Sequence, residues 1–159
     1  MALTQRFWLM KSEPDELSID ELAAEPARVF HWDGVRNVRA RNWLSDMADG
    51  DRFFFAHSSC KVPGVAGIGR IVGDAHPDSA QFDADSAYFD AKATADQPRW
   101  VCRGVAFVER FAEILTLADL RLHAAEFGHF HLLQKANRLS VMPVSEPQWN
   151  LLLSLAVRG

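Results

Sequence analysis

The chain has 159 residues, 48% of them apolar and 24% charged, with 17 basic and 21 acidic side chains for a net charge of −4. That is the balance of one globular domain of roughly 100–200 residues, expected here over residues 1–159, and it excludes a polycation that binds nucleic acid by bulk charge. Two cysteines, Cys60 and Cys102, without CxxC spacing exclude a disulfide scaffold, and no apolar run is long enough for a membrane span.

Phe7-Trp8-Leu9-Met10 is a compact apolar run and predicts a buried strand near 6–11. Ser18 with Glu21 forms a capping box, predicting a helix from Ile19 to about Glu25. Phe30-His31-Trp32 reads as a short extended piece, and Asn37 caps a second helix through about Met47. After the turn signal Asp49-Gly50, the aromatic run Phe53-Phe54-Phe55 predicts a strand over 51–57. A glycine-thinned strand follows over 64–73, bent where glycines allow bulges.

Residues 74–98 carry six aspartates and two prolines and read as a long polar connection. The longest strand is expected over 99–111, and Thr116 caps a helix over Leu117–Ala125. Ser145-Glu146-Pro147 opens a terminal helix with Trp149, Leu152 and Leu153 on one side. Strands outnumber helices, and the glycine bends predict a small β-barrel with helices around it.

The common catalytic signatures are absent: no GxxxxGK[ST], HExxH or GxSxG occurs. Gly67-x-Gly69 with Gly73 misspaces a dinucleotide loop. His129 and His131 lack a cysteine or acid cluster nearby, so no metal or other cofactor is expected. His57-Ser58-Ser59-Cys60 sets nucleophiles beside a base, but neighbours on a strand point to opposite faces. The basic set is skewed to 13 Arg against 4 Lys. Arg28, Arg36, Arg39 and Arg41 interleave with Phe30 and Trp32, a pattern that suits phosphate contact and base stacking, or a solvated helix face beside core tryptophans.

Several blocks closely resemble the EVE domain family. They are Trp8-Leu9-Met10-Lys11-Ser12-Glu13-Pro14, Trp32-Asp33-Gly34-Val35-Arg36-Asn37 with Ala40-Arg41-Asn42, Gly50-Asp51 with Phe53–Phe55 and His57-Ser58, Pro63-Gly64-Val65, Tyr88-Phe89-Asp90 with Lys92, Arg99-Trp100, and Arg138-Leu139-Ser140-Val141 with Pro143-Val144. They stand in family order from about Phe7 to Trp149. The resemblance implies an α+β, PUA-like fold, a curved β-barrel flanked by helices and related to YTH and ASCH domains. It also implies a non-catalytic module that reads a modified base, notably modified cytosine in DNA, in an aromatic pocket. Val38 and Ala56 stand where the family commonly has aromatics, which would thin that pocket.

On this resemblance Trp32 is the stacking floor, with Tyr88 and Phe55 as further walls. Ser12, Glu13, Asp33 and Asn37 are the candidates to read the base edge, and a carboxylate can accept from a cytosine amino group. His57 and Ser58 end a strand beside the site, while Lys11, Arg36, Arg39 and Arg138 would meet phosphates in a locally positive surface. Trp8, Trp43, Trp100 and Trp149 are read as core. The expected partner is DNA or RNA carrying a modified base, and no membrane. The expected location is cytoplasmic for a bacterial-type chain and nuclear for a eukaryotic one. Two other readings remain: an enzyme acting on a modified base or nucleotide, using His57, Asp33 and Glu13, or a small-molecule sensor.

Overall fold

The computed structural model describes residues 6–135 and 138–158. Its centre is one mixed six-stranded sheet in the order β2-β5-β4-β3-β1-β6. The strands are β1 (Phe7–Ser12), β2 (Phe30–Trp32), β3 (Arg52–His57), β4 (Gly64–Pro77), β5 (Val101–Thr116) and β6 (Val141–Val144). β1 lies parallel to β3, and every other neighbouring pair is antiparallel.

Three consecutive phenylalanines in β3 are all fully buried, because both faces of the sheet are covered. Phe53 and Phe55 face one apolar layer with Trp8, Met10 and Val105; Phe54 faces the other with Leu9 and Met142. The first layer is closed by α1 (Ile19–Ala24) and α2 (Val38–Asp46) through Ile19, Leu22, Ala40 and Leu44. The second is closed by α3 (Leu117–Arg121), α4 (Ala124–Phe127) and α5 (Glu146–Leu155). There the Trp149 ring stacks on Phe54 at 3.8 Å.

The α+β, PUA-like architecture is present, but the expected barrel is not. Among the described residues β2 pairs with β5 and β6 with β1, and the two edge strands do not meet. Helix α2 packs against both β5 and β6 and fills the gap that closure would need. Bulges bend β4 against β5 at three places, supplying curvature without closing the ring.

Local signals set most boundaries. The side chains of Ser18, Asn37 and Thr116 accept the expected backbone N–H at their helix starts, and Ser145 forms a full capping box with Gln148. The helix expected over 117–125 is instead two short ones, broken at Leu122 and His123. β4 runs on to Pro77 and β5 to Thr116, so the polar connection shortens to a 3-10 turn at Ser79–Phe82 and an irregular segment to Trp100.

Beneath α2, Arg103 is 1% exposed. It donates Nη1 to the Leu44 and Met47 carbonyls at 3.0 and 2.6 Å, and Nη2 to the Gly73 carbonyl at 2.6 Å. A buried cation thus caps the helix C-terminus, where carbonyls lack intrahelical partners. Among the described residues, no helix is long and apolar enough to cross a membrane.

Candidate functional site

A cleft of about 850 Å³ opens where β1 ends, between α1, β2 and the irregular segment after Phe82. This segment forms a strap, and its anchoring is specific. Gln81, fully buried, donates Nε2 to the carbonyls of Asp78 and Trp100 and accepts the Arg99 and Trp100 N–H groups on Oε1, all at 2.8–2.9 Å. Trp100 Nε1 donates to Asp90 at 2.7 Å. Further along, Arg36 donates Nε and Nη2 to the Tyr88 carbonyl at 3.0 and 2.8 Å.

Tyr88 therefore arrives at the cleft on a fixed backbone. Its ring lies on Gly34, where an added Cβ would come within 2.9 Å of two ring carbons. Gly34 also has φ +78°, a conformation that glycine adopts without strain. The Tyr88 hydroxyl donates to the Glu16 carboxylate. That bond, followed by burial and the charge of Glu16, pushes the phenol up to about 12. Tyr88 is a neutral donor that bridges the strap to the segment before α1.

The lining is rich in acceptors. Among the described residues it includes five carboxylates (Glu13, Glu16, Glu21, Glu25, Asp33) against three cations (Lys11, Arg28, Arg138). Burial, then the charge of Asp78, raises Asp33 above the ordinary carboxylate range, while burial lowers Lys11. Such a cleft suits a ligand presenting N–H donors inward, with Lys11 and Arg138 available for an anion.

The structure brings Ser12, Glu13, Trp32, Asp33, Ser58, Tyr88, Lys11 and Arg138 to this one cleft. It places five other expected residues elsewhere. Phe55 is fully buried and belongs to the core layer, since alternation in β3 points it inward. Asn37 spends its side-chain oxygen on the Ala40 N–H as the α2 cap, at 3.0 Å. His57 accepts the Ile19 N–H on Nε2 at 3.2 Å, holding the start of α1, and faces a smaller pocket. Arg36 is committed to Tyr88 and Asp78. Arg39 lies over the Trp43 ring at 4.6 Å, outside the cleft. The locally positive surface that was expected around these four cations is not what lines the cleft: Arg36 and Arg39 are engaged elsewhere, and the lining carries more carboxylates than cations.

Trp32 is not the open stacking floor that was expected. It borders the cleft yet is only 4% exposed, with its ring edge-on to Phe53 and Phe55 at 5.7 and 5.2 Å. Register explains this: Trp32 pairs with the inward-facing Arg103. Val38 and Ala56 do not thin the cleft, because neither lines it. Glu16 and Ser59 were not anticipated. Glu16 meets Tyr88 across 72 residues, and no local signal carries that pairing. Ser59 has φ 52°, a turn conformation that a serine reveals only in three dimensions.

A family model for the EVE domain matches residues 6–155. A crystal structure of a Pseudomonas putida protein is 50% identical with a TM-score of 0.89, covering 94% of this chain and 98% of that one. The crystal structure of human THYN1 protein in complex with 5-methylcytosine-containing DNA is 37% identical, TM-score 0.87, covering 95% and 97%. Human thymocyte nuclear protein 1 is 38% identical over 163 residues, 93% of this chain and 72% of that protein. With that match over almost its whole length, this chain belongs to the EVE domain family.

Proposed function

We propose that this chain is a non-catalytic DNA-binding module whose cleft holds a modified cytosine taken out of its stack. The observation that carries the reading is the likeness, over almost the whole chain, to a protein crystallised with 5-methylcytosine-containing DNA. The cleft supports it independently. Its volume of about 850 Å³ falls in the usual range for ligand sites, roughly 300–1,000 Å³. Asp33 and Glu13 are acceptors suited to a cytosine amino group, Tyr88 is the half-buried aromatic wall, and Lys11 with Arg138 would meet flanking phosphates. A DNA ligand would set this activity at the chromosome, in a bacterial cytoplasm or a eukaryotic nucleus.

The test is a fluorescence-anisotropy panel of otherwise identical DNA duplexes with cytosine or 5-methylcytosine, at two salt concentrations. The modified duplex is expected to bind more tightly, and each phosphate contact should add about −0.9 to the slope of log K against log salt. Tyr88→Ala should weaken binding by about 5- to 150-fold, the worth of one base–aromatic stack. Equal affinity for both duplexes with no effect of Tyr88→Ala rejects the reading. Salt-independent binding of the free nucleoside favours a sensor, and a converted base favours an enzyme.

A further inference from the structure

We propose that His31, His76 and Cys102 form a binding site for a transition-metal cation of the Zn²⁺ class, outside the interior of the sheet. The three residues sit on adjacent strands. His76 on β4 pairs directly with Cys102 on β5, and His31 on β2 pairs with Gly104, two residues along β5. Positions two apart on a strand share a face, so all three side chains leave the same side of the sheet. That side is opposite to Phe30, Trp32 and Arg103, which belong to the face that carries the first apolar layer. Gly104 puts no side chain between His31 and the other two.

The distances fit. One ligand atom from each residue lies within 4.8 Å of the other two. Metal–ligand bonds of about 2.0 Å to nitrogen and 2.3 Å to sulfur in a tetrahedral site set ligand atoms about 3.3–3.6 Å apart. Both histidines are exposed, so rotamer changes can close the remaining gap of roughly 1 Å. Two imidazoles and a thiolate are a borderline-soft donor set, and the fourth position faces outward for water or an exogenous ligand.

One further contact supports a metal. The His76 Nδ1 stands 3.3 Å from the Asp74 carbonyl, which can only accept, so Nδ1–H donates and the Nε2 lone pair is left for a metal. Ligating histidines are commonly oriented in this manner. On binding, the Cys102 S–H bond breaks, the S–metal bond forms, and the proton leaves to solvent.

The experiment uses Co²⁺ as an optical probe and Zn²⁺ as its competitor, on the reduced full chain. One equivalent of Co²⁺ is expected to raise a thiolate-to-metal charge-transfer band with release of one proton, and Zn²⁺ should erase the band. Cys102→Ser should abolish it, and Cys60→Ser, the other free cysteine, should leave it intact. His31→Gln and His76→Gln change exposed side chains, so the chain should still fold, and each should weaken Zn²⁺ binding by about tenfold or more. Zn²⁺ should also raise the melting temperature of the parent chain by more than that of either variant. No charge-transfer band, a band lost in Cys60→Ser, or unchanged Zn²⁺ affinity in both histidine variants would overturn the site.

Discussion

Arg36 and Asp78 form an ion pair at 3.0 Å, with the carboxylate 1% exposed and the guanidinium 21%. Asp78 does more than neutralise a charge. Its Oδ2 also accepts the Gly34 N–H at 2.8 Å, and its Oδ1 accepts the Ala80 N–H at 2.8 Å. One carboxylate therefore ties the turn after β2 to the start of the strap, and Arg36 relays the tie to Tyr88. Both walls of the cleft depend on it.

Asp78→Ala should therefore cost about 3 kcal/mol, the low end for breaking a buried pair because Arg36 keeps some contact with water. Urea unfolding would measure it. Adding Arg36→Met to that background should cost less than it does in the parent chain, since the ion pair is already gone and only the bonds to the Tyr88 carbonyl remain to be lost. A double variant destabilised by the full sum of the two single losses would show that the two residues act independently.

Tyr88 is the only tyrosine in the chain, so its titration can be watched directly by tyrosinate absorbance. The folded phenol should remain protonated between pH 10 and about 12, where an ordinary tyrosine ionises. Its folded pKa is raised, so its contribution to stability is complete below about pH 10 and fades as pH climbs toward 12. Glu16→Gln removes the largest cause of the rise, and the absorbance midpoint should move down. A midpoint near 10 in the parent chain would mean that the Tyr88–Glu16 bond does not hold.

Legibility in the sequence divided along the range of the forces involved. Caps and apolar runs are local, so β1, α1, α2, β3 and α5 could be read within a residue or two. Closure of the sheet was misjudged because it depends on where α2 packs, a contact between distant segments. Of the candidate site, Ser12, Glu13, Asp33 and Tyr88 were legible through family blocks. Arg36 and Asn37 lie in one of those blocks, yet their roles are structural: a strap anchor and a helix cap. Sequence patterns do not separate a residue that holds a site from one that lines it. The His31, His76 and Cys102 grouping was hidden because 71 residues separate its ends and only strand register joins them.

His57 should give the fold a dependence on mildly acidic pH. Burial lowers it from its ordinary 6.5, partly offset by Asp20, and the neutral ring is needed to accept the Ile19 N–H. The folded pKa is depressed, so the unfolded chain binds the proton more readily. Stability is then complete above about pH 6.5 and declines as pH falls through and below that value. Burial also lowers His131, so His57→Gln should flatten part of the slope between pH 7 and 5 and leave the rest. A slope unaltered by His57→Gln would remove His57 from the account.

Trp32 and Trp100 are both buried, in different surroundings. Trp32 is 4% exposed inside the layer built on Phe53 and Phe55, so it is a core side chain that reaches the cleft only at its rim. Trp100 is 7% exposed but lies outside both apolar layers. Its ring sits among the guanidiniums of Arg36, Arg41 and Arg99 at 5.4–5.8 Å, with Nε1 bonded to Asp90. Trp32→Ala leaves a cavity in close-packed surroundings and should cost about 3–5 kcal/mol. Trp100→Ala loses one hydrogen bond and contacts at the edge of the fold, where long arginine side chains can collapse into the space; about 2–3 kcal/mol is expected. Trp100→Ala also frees the strap that carries Tyr88, so DNA affinity should fall even where the variant is fully folded. Urea midpoints for both variants, with titrations against the 5-methylcytosine duplex well below either transition, decide the matter. If Trp100→Ala unfolds earlier than Trp32→Ala, the packing around Trp100 contributes more to the fold than the layer around Trp32 does.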